Sequence, residues 1–208
     1  MPSSTFFHLP AAKRKRLMDA VWQEFTSVSY MDASINKIIQ AADISRGSFY
    51  QYFSGKQDVF TYILQIIMDA AQDLFQAQLT VHNNDLFAAM LGMYDTLLWT
   101  HTRQDPNRER LRTLFRLNAE LDMKQFTALP DRDTMTKNMN GLLEHTAYRL
   151  TSPIQCHALI HMLLSIGLAH VGDTLRHPSH EADNRQLLEV QLELIRLGLT
   201  ATQTEAAP

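Results

Sequence analysis

The sequence predicts an all-α protein in which a small N-terminal domain of three helices leads into a larger helical domain. Only seven Gly and seven Pro occur among 208 residues. Apolar residues recur at helical spacing over long stretches, and alternating runs of Val, Ile and Thr are scarce. A hydrophobic content of 45% is enough to bury a sizeable core.

Pro10 suits the first position of a helix over about 10–26, because Leu17, Met18, Val21, Trp22 and Phe25 repeat at helical spacing. The basic run Lys13, Arg14, Lys15 and Arg16 falls on its outer face. A short second helix over about 34–41 carries Ile35, Ile38 and Ile39, then Ala42, on one side. A tight turn at Asp43-Ile44 follows, and Ser45 is a good N-cap for a third helix over 46–53. Phe49 and Phe53 lie one turn apart there and face inward.

A fourth helix from Lys56 to about residue 79 keeps its period through Val59, Phe60, Ile63, Ile67, Ala70, Leu74 and Phe75, about 36 Å of length. The polar cluster His82-Asn83-Asn84-Asp85 ends it. A fifth helix buries Leu86, Met90, Leu91, Tyr94, Leu97 and Leu98. Asp105-Pro106 restarts the chain as cap and first helical residue, and another amphipathic helix is expected over about 131–150. Ser152-Pro153 repeats that signal before a nearly all-apolar helix ending by His177. The last helix is expected over about 183–199. These boundaries give a domain over 1–55, ordered from about residue 10, a second over 56–200, and a disordered tail over 201–208.

Charge is unevenly spread. The net charge is −3, yet the chain through Phe60 holds seven Lys or Arg against five acids, +2, which leaves −5 for the remainder. A basic head on an acidic body suits a chain whose head meets phosphate. The lone Cys156 excludes an internal disulfide framework and fits a reducing cytoplasm. No secretory signal is read. The apolar stretch 158–171 is too short to span a bilayer and carries His161 and His170, so it is expected to be a buried core helix, and no membrane partner is expected.

In three short helices with a tight turn before the third, that third helix can enter a DNA major groove while the second braces it. With Phe49 and Phe53 turned inward, the 100° step puts Gly47 and Gln51 opposite them and Ser48 and Tyr50 on the flanks. That outer face carries no acid. Gly within a helix costs about 1 kcal/mol against Ala, so Gly47 suggests a close approach by a partner's backbone. Tyr50 and Tyr52 bring hydroxyls suited to phosphate oxygens, and Gln51 and Arg46 could reach base edges. Lys56 at a helix N-terminus opposes the macrodipole unless a phosphate binds there; the plainer alternative is a solvated lysine.

The stretch 13–60 resembles the DNA-binding region of the tetracycline-repressor (TetR) family of bacterial regulators. The resemblance rests on Ala20, Phe25, Tyr30, Ser34, Ile35, Ile38 and Ala42, and above all on the block from Ile44 to Phe53 followed by Lys56. It implies that Ser34, Lys37, Ser48, Tyr50, Tyr52 and Lys56 contact operator DNA. It also implies a helical effector domain and a homodimer through the last two long helices. Four positions depart from the family pattern: Ser29 and Asp43 stand where Gly is usual, Ala33 where a capping Thr is usual, and Gly55 where a Ser cap is usual. Asp tolerates left-handed backbone and Gly is an acceptable cap. Ala33 moves the cap of the second helix to Asp32 or to Ser34. Tyr52 replaces a common His.

The later helices are rich in Met and aromatic residues, which line adaptable apolar cavities as readily as they fill ordinary cores. Met90, Tyr94, Trp99, Phe115, Met123, Met139 and His161 are the candidate contacts for a small apolar or amphipathic effector. His157 and His161, one turn apart beside Cys156, invite a zinc hypothesis, but no carboxylate completes the set before Asp173, and neither metal nor cofactor is expected. The last two long helices are apolar on more than one face, and pairing with a second copy as a four-helix bundle would cover them, with Gly167 and Gly198 permitting close approach. The expected function is a cytoplasmic transcription repressor that its effector releases from double-stranded operator DNA. An effector-independent architectural or cell-cycle protein is the alternative. A helical enzyme fits less well, since no Gly-rich phosphate loop, G-x-S-x-G, H-E-x-x-H or paired cysteines are found.

Overall fold

The computed structural model describes residues 1–98, 106–118 and 152–204, and every regular element among them is helical. In chain order these are α1 (Ser4–Phe7), α2 (Ala11–Phe25), α3 (Ile35–Ala42), α4 (Arg46–Tyr52), α5 (Lys56–Val81), α6 (Leu86–Leu98), α7 (Pro106–Leu117), α8 (Pro153–Arg176) and α9 (Glu181–Thr204), with a 3-10 turn at Pro178–His180 between the last two. The helix expected over 131–150 lies outside the described residues. The chain divides into two compact units, Met1–Ala70 with Asp105–Ala128, and Ala71–Gln104 with Leu129–Pro208.

The first unit is built around aromatic rings. Phe6, Phe25, Phe49 and Phe60 are fully buried and Phe53 is nearly so. Phe25 meets Phe60 at 5.2 Å between centroids, Phe60 meets Tyr30 at 4.8 Å, and Phe6 meets Phe53 at 5.1 Å. Tilted and edge-on pairs of this kind add attraction beyond the area they bury. Leu114 of α7 is buried in the same core. The unit is therefore larger than the 1–55 segment marked out by the sequence pattern. Regular structure also starts before residue 10. Ser4–Phe7 is helical because Phe6 reaches the core and Ser3 N–H donates to the Tyr52 carbonyl at 2.9 Å. Pro10 is the N-cap of α2 and not its first helical residue.

The second unit packs α6, α8 and α9 against one another. Asp85 caps α6 by accepting from the N–H groups of Phe87 and Ala88 at 2.9 and 3.1 Å. The turn before it places Asn83 and Asn84 at φ 52° and 63°, which short polar side chains tolerate, and the Asn84 N–H closes back on the Leu79 carbonyl. Ser152 caps α8 by accepting from Gln155 N–H, with Pro153 following as expected. Arg185 grips Asp95 through two nitrogens at 2.7 and 2.9 Å. α9 continues to Thr204, past the point where the tail was expected to begin.

Two expectations change in this unit. The apolar segment of α8 is not too short: over Ile154–Arg176 the helix is long and apolar enough, by length and composition, to cross a membrane. Leu159, Ile160, Leu163, Val171 and Leu175 are nonetheless buried, on a helix that packs against α6 and α9. Gly167 is occupied within its own chain. A Cβ there would lie 2.8 Å from the Met90 sulfur, so its bareness serves the α6–α8 packing, whereas Gly198 faces open space.

Candidate nucleic-acid interface

The turn between α3 and α4 sets the geometry. Asp43 ends α3 in the left-handed region, φ 51° and ψ 56°, and so takes the place of a turn glycine. Its carbonyl lies 3.5 Å from an Arg16 nitrogen. Ser45 then caps α4, its hydroxyl accepting from Ser48 N–H at 3.0 Å and pairing with the Ser48 hydroxyl at 2.8 Å. α4 is anchored from one side only. Phe49 is 0% and Phe53 1% exposed, while Gly47 and Gln51 are exposed and Tyr50 is 45% exposed.

Each residue assigned to DNA contact can be placed. Lys37 is exposed on α3 and Ser34 is half-buried at its start. Arg46 is exposed, donates to Asn36 Oδ1 at 3.0 Å and lies 5.6 Å from the Tyr50 ring centroid, so it ties α4 to α3. Ser48 and Tyr52 are half-buried, and Tyr52 packs against the core. Lys56 is not merely solvated: its ammonium donates to the Met31 carbonyl at 2.9 Å and sits 4.9 Å over the Tyr30 ring. The α5 terminus gains a further acceptor in Asp58, whose Oδ2 takes bonds from Ser54 N–H and Oγ–H at 2.9 and 3.1 Å and whose Oδ1 pairs with the N-terminal amine. Burial alone would raise the Asp58 carboxyl, but the hydrogen bonds from the amine and from Ser54 outweigh it and hold the group below its ordinary value.

The open question about the start of α3 is answered by a residue that sequence reasoning missed. Ser34 is the N-cap residue, but its side chain makes no capping bond, and Ala33 is buried. Glu24, 8% exposed on α2, reaches across and accepts from Ser34 N–H at 2.8 Å. Asn118 does the same for the preceding loop, accepting from Tyr30 N–H at 2.8 Å while its amide donates to the Leu114 carbonyl. Ser29 keeps negative φ and bonds the Asp32 carboxylate at 2.7 Å, so no glycine is required there.

The candidate effector contacts are placed only in part. Trp99, Met123 and Met139 lie outside the described residues, as does the Phe115 side chain. Met90 and Tyr94 are buried. The Tyr94 hydroxyl bonds Thr174 Oγ1 at 2.9 Å and donates to the Glu181 carbonyl at 3.3 Å, and burial pushes it above the ordinary phenol value although the Thr174 bond acts the other way. His161 is exposed. Met90, Tyr94 and His161 belong to the second unit. Beside the zinc motif considered above, Cys156 is half-buried and burial pushes its thiol up, which disfavours the thiolate a metal needs.

Comparison with known proteins agrees with this geometry. Residues 17–63 match the family described as bacterial regulatory proteins, tetR family. An uncharacterized HTH-type transcriptional regulator, YdgC of Bacillus subtilis (strain 168), is 22% identical over 187 residues, covering 78% of this chain and 96% of the relative. The crystal structure of a tetR-family regulator from Pectobacterium atrosepticum shares the fold at a TM-score of 0.54, with 14% identity over 92% of this chain and 97% of that one. A TetR family regulator from Chloroflexus aurantiacus J-10-FL aligns at a TM-score of 0.45 with 23% identity, over 95% and 98% of the two chains. The segment that presents Gly47, Tyr50 and Gln51 to solvent therefore lies within a stretch, residues 17–63, that is similar to bacterial regulatory proteins of the tetR family.

Proposed function

We propose that the protein is a cytoplasmic repressor that binds its operator as a homodimer and is released by a small apolar or amphipathic effector. The observation that carries the DNA reading is the one-sided anchoring of α4, with both phenylalanines buried and the face bearing Gly47, Tyr50 and Gln51 turned outward. On this reading, Ser34, Lys37, Ser48, Tyr50, Tyr52 and Lys56 hold phosphates, and Arg46 and Gln51 meet base edges beside Gly47. The segment 1–55, with Lys56 beside it, supplies the DNA contacts, and the chain from there to about residue 200 binds effector and partner.

The dimer reading is supported by α9. Leu187, Val190, Leu194 and Leu197, at heptad-like spacing, are all at least half exposed, and Met162 and Leu168 of α8 are exposed too. A second copy that covers this stripe would form a four-helix bundle and set two recognition helices about 34 Å apart for successive major grooves. Effector binding would favour a conformation in which that spacing is lost. A mobility-shift assay on the DNA beside the protein's own gene, repeated with a metabolite library, tests the whole reading. Tyr50→Ala should abolish the specific shift while leaving the thermal midpoint unchanged. Undiminished specific affinity in that variant, or an affinity indifferent to salt, would refute the assigned face.

A further inference from the structure

The turn joining α8 to α9 carries chemistry unrelated to DNA. Asp173 stands in the last turn of α8, His177 follows four residues on, and His180 closes the 3-10 turn. Nδ1 of His177 lies 3.1 Å from one oxygen of Asp173, and Nδ1 of His180 lies 3.2 Å from the other. One donor atom from each of the three side chains falls within 4.8 Å of the others. Local geometry explains the convergence, since residues four apart share a face of an α-helix and residues three apart eclipse in a 3-10 turn. The two rings accordingly stack at 5.1 Å.

We propose that Asp173, His177 and His180 form a three-ligand site for a divalent transition-metal cation of the zinc type, with water completing the coordination. Two imidazole nitrogens and a carboxylate oxygen are a zinc-type donor set. A tetrahedron with arms of about 2.1 Å has edges of about 3.4 Å; the imidazole nitrogens stand 3.1 and 3.2 Å from opposite oxygens of the one carboxylate, so the three groups are gathered near that spacing without yet sharing one oxygen between both rings. The carboxylate is held from behind: the Asn184 amide donates to it at 2.7 Å and to Thr174 Oγ1 at 3.0 Å, the outer support that a metal ligand needs. The histidine side chains are 54% and 53% exposed, so an ion and its water can enter without any opening of the fold. One dication between the two rings and the carboxylate would bond all three groups. Bound there, the ion would pin the last turn of α8 to the turn leading into α9.

The test uses the full chain without a polyhistidine tag, titrated with zinc chloride by calorimetry and with Co²⁺ by absorption. Saturable binding of one ion per chain is expected, weakened about tenfold or more in His177→Ala and in His180→Ala. Cys156→Ser and His161→Ala should bind as the parent does, and the Co²⁺ spectrum should show d–d bands without a thiolate charge-transfer band. Far-UV circular dichroism reports whether Asp173→Asn folds, and because both histidines are exposed their variants carry the test whether it does or not. No saturable binding, undiminished binding in the double histidine variant, or loss of binding in Cys156→Ser would each overturn the assignment.

Discussion

Gly47 is where folding and binding should pull apart. A methyl group built on its α-carbon would meet only the Ser45 hydroxyl, at 3.9 Å, an ordinary van der Waals contact, and the backbone is helical. The free protein therefore has no steric use for the missing side chain, and Gly47→Ala should raise stability by about 0.5–1 kcal/mol through the lost backbone freedom of the unfolded chain. For a chain of this size, that is an increase of about 1–4 °C in the unfolding midpoint. Against DNA the sign should reverse. Loss of one close backbone approach together with its neighbouring phosphate contact should weaken operator binding by about tenfold or more, equivalent to about 1.4 kcal/mol. Differential scanning fluorimetry and fluorescence anisotropy at fixed salt measure the two effects on one preparation. A variant that is more stable and binds operator as tightly as its parent would refute the placement of Gly47 at the duplex.

Phe49→Ala should destabilise the protein by about 3–5 kcal/mol, read from urea unfolding, because a fully buried ring leaves a cavity among Phe53 and its neighbours. Glu24→Ala should cost about 1–3 kcal/mol in the same assay by orphaning the Ser34 N–H, and Glu24→Gln, which keeps an acceptor, should cost less. The depressed carboxyl of Asp58 gives a pH signature. Its stabilising contribution is complete above the ordinary value of 3.8 and fades as acid takes the pH down through the lower folded value. The gap in unfolding midpoint between parent and Asp58→Asn, followed from pH 6 downward, should therefore be constant at first and close only below about 3.8. A gap that persists unchanged in acid would contradict the assignment of that stability to the charged form.

What the sequence made legible is what local signals encode. Asp43 in a left-handed turn, Ser45 as cap, and Phe49 and Phe53 one turn apart each depend on neighbours within a few residues, and all stand where the pattern placed them. Glu24, Asn118 and Phe6 were not legible because their partners, Ser34, Tyr30 and Phe53, are distant in sequence, and nothing in the spacing marks a carboxylate or an amide as a remote cap. Lys56 fell between: its position was suspect on dipole grounds, but only the structure brings the Met31 carbonyl and the Tyr30 ring to it. Composition pointed to Met90 and Tyr94 as cavity residues; in the structure both are buried, Met90 beside Gly167 and the Tyr94 hydroxyl bonded to Thr174. A rich supply of Met and rings describes the inventory of a helical body without assigning each member a duty.

The bond from Tyr30 N–H to Asn118 and the burial of Leu114 carry a consequence for how the protein is made. The helices proposed to grip DNA lie at the beginning of the chain, yet one of their braces is translated 88 residues after Tyr30. At about 5–20 residues per second, a nascent head waits on the order of 4–18 s before that brace is synthesised. During that interval its aromatic interior is incompletely covered, so early chaperone engagement should concentrate on nascent chains shorter than about 120 residues.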